Sequence, residues 1–232
     1  MDYSMRGGEP RQDRTQEYGR RRIPVRERLL RSGQEQLTVP ELLALWLGLP
    51  LTQSRDLLDR FGGLHGLLAQ PVSHLLREAG LGPGRIARMQ AALALLDRQA
   101  LAGLDDGPLL SCTSSVRRFL RIKLARMRRE VFACLFLDNR HRLIRYEVMF
   151  LGTVDRASVH PREILRRALE LNAAALILAH NHPSGVAEPS SSDVALTREV
   201  SELLHQIEVR VLDHLVVGRG AEVSFAERGL LG

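Results

Sequence analysis

The chain has 232 residues, 44% of them hydrophobic, and a formal net charge of +6. That length suits one or two domains with a real core, and no apolar run reaches the roughly 18 residues of a membrane span, so none is expected. The sequence pI near 10.2 invites a nucleic-acid partner. However, Lys123 is the only lysine, so the total also fits a general preference for arginine, and a local patch is better evidence.

Residues 1–22 are polar and rich in Gly and Arg, and read as a disordered basic tail. They lack the apolar stretch of a secretory signal. Cys112 and Cys134 make neither a disulfide framework nor a CxxC zinc pair; a reducing, cytoplasmic setting is expected. Residues 23–104 read as a helical domain. ERLLRSG is a short helix ending at Gly33, and Thr38 and Glu41 fit a capping box opening the next. ELLALWLGL is apolar nearly all round, which predicts burial, and RDLLDRFGG ends on glycines. In VSHLLREAGLGPGRIARMQAALALLDRQ two helical runs flank Gly80-Leu-Gly82-Pro-Gly84. The second would start with open backbone N–H groups, which suit a DNA phosphate without base readout. Gly80, Gly82, Gly84 and Arg85 are the candidate contacts. A plain αα-hairpin uses glycines in the same way, so both readings stand.

Residues 105–115 read as a linker, and 116–232 as a second domain. RRFLRIKLARMRR (117–129) is an amphipathic helix with Phe119, Leu120, Ile122 and Leu124 partly buried. Its basic face is either simply solvated or contacts phosphate. VFACLFL and LIRYEVMF, joined by Asp138-Asn139, predict a β-hairpin. HPREILRRALELN predicts a helix with Ile164, Leu165, Ala168 and Leu169 on one face, and AAALILAH a buried strand. DVALTREVSELLHQI places Leu196, Val200, Leu203, Leu204 and Ile207 on one stripe; VRVLDHLVVG and EVSFAE close with strands. The order β-β-α-β-α-β-β predicts an α+β domain, a mixed sheet with packed helices, behind the small helical domain.

HNHPSGVAEPSSSD (180–193) carries the chemistry. On a strand, His180 and His182 share a face, with Cα atoms roughly 6.5 Å apart. Both rings can then reach one ion. Pro183-Ser-Gly185 turns the chain, and Asp193, in the first turn of the next helix, can swing back as a third ligand, leaving a fourth position for water. Ser190 and Asp193 also read as an ordinary capping box, with the histidines merely ending a strand. Asn181 points away from its neighbours. Asp213-His214 is either a pair that orients a ligand histidine or a satisfied polar pair at the core edge. HExxH is absent, as are H-x-E and P-C-x-x-C, which argues against zincins and zinc deaminases.

His180, His182, Ser190 and Asp193 match H-x-H-x7-S-x-x-D, and the segment therefore resembles the JAMM motif of MPN-domain metallopeptidases. FLGT, SVHPREI, LNAAALILAHNHPSG, LDHLVVG and VSFAERG make residues 24–232 similar to the bacterial RadC family, with the GLGPG region resembling a helix-hairpin-helix. The resemblance implies zinc on His180, His182 and Asp193, an upstream glutamate as general base, and Ser190 donating to the oxyanion of a peptide or isopeptide substrate. Glu130, Glu147 and Glu163 are candidates for the base. Glu130, just before the first strand, matches the family position best, with Glu163 the fallback. The family also implies a DNA-repair setting. Against the hydrolase stands a DNA-associated accessory protein, binding DNA through its N-terminal domain and carrying a structural or vestigial zinc site.

Overall fold

A computed structural model describes residues 24–105, 113–152 and 159–231. The basic tail and positions 106–112 of the expected linker lie outside the described residues. The chain forms two compact units, 1–55 and 56–232.

In the first unit, α1 (Val25–Ser32) and α2 (Val39–Leu47) flank a 3-10 turn, Gln34–Gln36. Thr38 opens α2 as expected: its main-chain N–H and its hydroxyl both donate to Glu41 Oε2 at 2.9 Å. Gly48 closes α2 in the left-handed region, where a side chain would be strained. Burial along ELLALWLGL is narrower than predicted. Leu43, Leu47 and Leu49 are buried, while Leu42 is exposed, because a helix of this length turns only one side to the core.

The unit boundary falls inside α3 (Leu51–Phe61). Then come α4 (Leu64–Leu68), α5 (Val72–Leu75) and the long α6 (Pro83–Asp105). The expected helical run over VSHLLREAG is a single turn. Leu75 and Leu81 are both buried, so the chain folds back within six residues, helped by Gly80 at φ 84°.

A five-stranded mixed sheet organises the rest of the second unit. Its strands are β1 (Val131–Leu137), β2 (Leu143–Leu151), β3 (Ala175–Asn181), β4 (Arg210–Val217) and β5 (Glu222–Ser224). Their spatial order is β2-β1-β3-β4-β5. Only β3 and β4 run parallel, and the other pairs are antiparallel. The β1–β2 turn is held by Asp138, whose Oδ1 accepts from the N–H groups of Arg140 and Arg142 at 2.8 Å each.

Strand side chains alternate faces, and both faces of β1 and β3 are covered. Val131, Ala133, Leu135, Ala175, Ile177 and Ala179 pack with Phe119, Leu120 and Leu124 of α7 (Thr113–Leu124). Phe132, Cys134, Phe136, Leu176 and Leu178 pack with Ile164 and Ala168 of α8 (Pro161–Glu170) and Val200 and Leu204 of α9 (Ser191–His205). Burial on both faces explains the unbroken apolarity of VFACLFL and AAALILAH. The predicted helical stripes are too wide: Leu169 and Leu203 are exposed, and Thr197 is fully buried on α9. No helix among the described residues is long and apolar enough to cross a membrane.

Candidate metal centre

The site grows from the end of β3. In the antiparallel register with β1, His180 lies opposite Phe132, on the face toward α8 and α9. β3 ends at Asn181, but His182 N–H still donates to Val217 O at 3.0 Å. The ladder therefore carries on one more residue and keeps His182 on the same face. A turn then closes from Gly185 N–H to His182 O, 2.9 Å. Gly185 has φ +90°, and a Cβ there would come within 3.0 Å of Arg219 Cβ; one on Gly218 would lie 2.5 Å from Gly185 O. This packing holds the loop over the sheet end, where Val186 O accepts from His182 Nδ1–H at 2.9 Å.

The loop delivers Ser190 as N-cap of α9. Ser190 Oγ accepts from Asp193 N–H at 3.2 Å, while Asp193 Oδ2 accepts from Ser190 N–H and Oγ–H, both at 2.7 Å. The capping box is therefore real, and it is also what aims the carboxylate. Asp193 Oδ1 lies 3.5 Å from His180 Nε2, and Oδ2 lies 3.4 Å from His182 Nε2. The two Nε2 atoms are 2.9 Å apart. Cap and ligand cluster, alternatives on the sequence, are one arrangement.

These residues could hold a metal: one ligand atom from each lies within 4.8 Å of the others. Two ligands sharing one tetrahedral cation at about 2.0–2.1 Å stand about 3.3 Å apart, a value inside the observed spread. With His182 Nδ1–H given to a carbonyl, a neutral ring leaves Nε2 bare and facing inward. Two imidazoles and a carboxylate form a borderline-soft set suited to a first-row transition ion.

The electrostatics follow from the same contacts. Burial alone would lift the Asp193 carboxyl, but the adjoining His180 and His182 rings and the Ser190 hydroxyl hold it well below the usual carboxylate range. The hydrogen bond to Asp193 raises His182, helped by Val186 O and by the charge of Glu130. His214 is pushed well below the usual histidine range by complete burial and then by the neighbouring imidazoles.

Glu130 stands two residues before Phe132, the last β1 residue paired with β3, close enough for its charge to act on His182. Asn181, on the opposite face, fixes this approach. Its Oδ1 accepts from Val131 N–H at 2.8 Å, and its Nδ2 donates to Met127 O and Arg129 O at 3.3 and 3.1 Å. The other two glutamates are engaged elsewhere. Glu147 takes Arg167 Nε–H at 2.7 Å, and Glu163, in the first turn of α8, accepts from Arg166 Nε at 3.1 Å.

Of the expected Asp213-His214 pair, the histidine reaches the cluster: His214 Nε2 is 2.8 Å from His180 Nδ1. Asp213 instead holds β5, accepting from Ser224 Oγ–H at 2.7 Å and Ala226 N–H at 3.0 Å. Thr197 was missed. Its hydroxyl donates to Asp193 O at 2.6 Å and lies 2.6 Å from His214 Nδ1. The available signal was a β-branched polar residue four positions after Asp193, beside the apolar stripe of α9.

Gly80, Gly82, Gly84 and Arg85 form the turn into α6. Arg85 Nη1 donates to Gly80 O at 2.9 Å, and a Cβ on Gly82 or Gly84 would meet nothing within 4 Å. Within the basic run, Lys123 and Arg126 bind Asp97 at 3.0 and 2.7 Å, Arg117 pairs with Glu227, and Arg118, Arg128 and Arg129 are exposed.

A helix-flanked mixed sheet with two histidines at a strand end and an aspartate at the following helix start defines a JAB-type domain. The sequence model of the RadC-like JAB domain matches residues 110–230. A UPF0758 protein of Marinobacter nauticus is 49% identical over 89% of this chain and 95% of its own length. Those of Methylibium petroleiphilum and Leptothrix cholodnii are 51% and 52% identical, each over 89% of this chain and 96% of their own. The chain belongs to the RadC-like JAB domain family.

Proposed function

We propose that this protein is a zinc-dependent hydrolase of JAMM type that cleaves a peptide or isopeptide bond, in a DNA-repair setting and in the cytoplasm. The observation that carries this reading is the convergence of His180, His182 and Asp193 within one ion's reach, with the charge of Glu130 acting on His182. His180, His182 and Asp193 would hold the zinc, which would supply Lewis acidity to a substrate carbonyl and a water molecule. Glu130 accepts the proton of that water as it attacks, then passes it to the leaving amine. Ser190 donates to the developing oxyanion, which requires its hydroxyl to turn its single hydrogen away from Asp193. No side chain becomes a covalent nucleophile.

The test compares new amino groups released in a proteome by the zinc-loaded protein and by Glu130→Gln. The variant keeps stoichiometric zinc, because Glu130 is not a ligand, and loses about 10²–10⁴-fold in rate. Equal products from both proteins would remove Glu130 from this role.

A second reading, DNA binding by the N-terminal helical region, is favoured by Gly82 and Gly84. Neither packing nor a positive φ requires glycine there, and bare backbone at a helix start suits close approach of a phosphate. DNA affinity that falls steeply with salt, and weakens on Gly82→Ala, is the expected result; affinity unchanged by the substitution would remove the turn as the contact.

A further inference from the structure

We infer that Thr197 and His214 are positioning residues that set which nitrogen of His180 is offered to the metal, through a hydrogen-bond chain that starts on the main chain of Asp193. The inference rests on the reading of the site as a zinc centre and deepens it.

The direction of the chain follows from donor and acceptor inventory. A carbonyl oxygen only accepts, so the 2.6 Å contact between Thr197 Oγ1 and Asp193 O uses the one hydroxyl hydrogen. Thr197 Oγ1 then has only lone pairs for its 2.6 Å contact with His214, so His214 Nδ1 carries the hydrogen. The His214 ring is fully buried, edge-on to Phe132 and stacked on Phe225 at centroid distances of 5.5 and 4.7 Å. With its two ring nitrogens meeting a hydroxyl and another imidazole inside a cage of phenyl rings, the ring carries a single hydrogen, so its Nε2 accepts. The 2.8 Å contact with His180 is then a donation from His180 Nδ1–H. His180 Nε2 is left bare, 3.5 Å from Asp193 Oδ1.

His182 reaches the same state in one step, by giving Nδ1–H to Val186 O. Among the described residues, the partner of His180 Nδ1 is the His214 ring and not a carbonyl, and the relay supplies the equivalent. Asp193 thus acts twice, with its carboxylate as ligand and its carbonyl as the fixed end that orders the far histidine. Outer partners of this kind typically hold a ligand ring in one tautomer and raise metal affinity.

Two measurements on the full-length protein test this. Long-range ¹⁵N–¹H NMR of histidine-labelled protein reads the tautomers directly, with and without zinc. The expected result is hydrogen on Nδ1 of His214 in both forms and on Nδ1 of His180 in the zinc form. Hydrogen on Nε2 of His214 would overturn the inference. Chelator competition then gives zinc and cobalt affinities. Thr197→Val keeps the shape but not the hydroxyl, and should weaken both ions about tenfold and mix the His214 tautomers, while Thr197→Ser should restore parent behaviour. Parent-like affinity in Thr197→Val would also overturn it, and if that variant does not fold the parent spectrum still decides. Failure of the parent to bind zinc would remove the zinc reading, whereas the His214 tautomer in the metal-free protein judges the relay separately.

Discussion

Two turns in the second unit look alike on paper. Gly80–Gly84 and Pro183–Gly185 are both glycine- and proline-punctuated, and each leads toward a helix start. Their surroundings are opposite. At 183–193 the glycine is forced by φ and by Arg219, the helix start is closed by its own Ser190 and Asp193, and the side chains before and after converge on one point. At 80–85 the later glycines face open space. The difference separates two uses of a turn: one brings side chains to a single point, and the other leaves backbone accessible.

The largest effect that sharpens this contrast is at Asp193. Asp193→Ala should lose both the metal and about 1 kcal/mol of helix cap. Asp193→Asn should lose the metal while an amide oxygen keeps most of the cap. Thermal melting with zinc analysis checks both, and equal destabilisation by the two would separate the cap from the site.

The pH response comes next. His182 is raised by Asp193, so in the metal-free protein their pairing stabilises fully below about pH 6.5 and is lost as pH rises through the raised value. Asp193 is lowered, so on the acid side the same stabilisation is present above about pH 3.9 and fades as pH falls further. Zinc competes with the proton on His182, and its affinity should climb as pH rises through that group. Titrations of metal-free melting and of zinc affinity would show both trends, and flat profiles would contradict them.

Asn181→Ala should cost about 1–3 kcal/mol by stranding Val131 N–H and two carbonyls. Zinc should be retained and the rate lowered through Glu130; unchanged rate would break the link between Asn181 and Glu130. The smallest effects compare the turns themselves. Gly185→Ala should destabilise by about 1–3 kcal/mol, and Gly84→Ala should stabilise by about 0.5–1 kcal/mol, as in an open helical position. Chemical denaturation of both variants measures the pair.

Much of the architecture was legible because strand alternation and apolar runs report burial directly. All five strands and the helices between them follow from VFACLFL, AAALILAH and their neighbours. The closeness of His180, His182 and Asp193 was legible because His-x-His on a strand fixes one face. The rest depended on packing that no local pattern encodes. The one-turn α5 arises from burying both Leu75 and Leu81. Leu169 and Leu203 lie on predicted apolar faces but outside the width the sheet covers. Thr197 and His214 sit seventeen residues apart, on a helix and a strand, and their chain to His180 exists only once α9 packs on β4. Cap and His-His-Asp cluster looked like rivals because each explains Asp193 by itself, while the fold uses one carboxylate for both.

If the proposed function holds, one cation sits among His180, His182 and Asp193. A crystal of the purified protein, measured on both sides of the zinc absorption edge, tests it most directly. A single anomalous peak is expected, bounded by His180 Nε2, His182 Nε2 and an Asp193 carboxylate oxygen. No peak there, in protein purified without chelator and supplied with zinc, would contradict it.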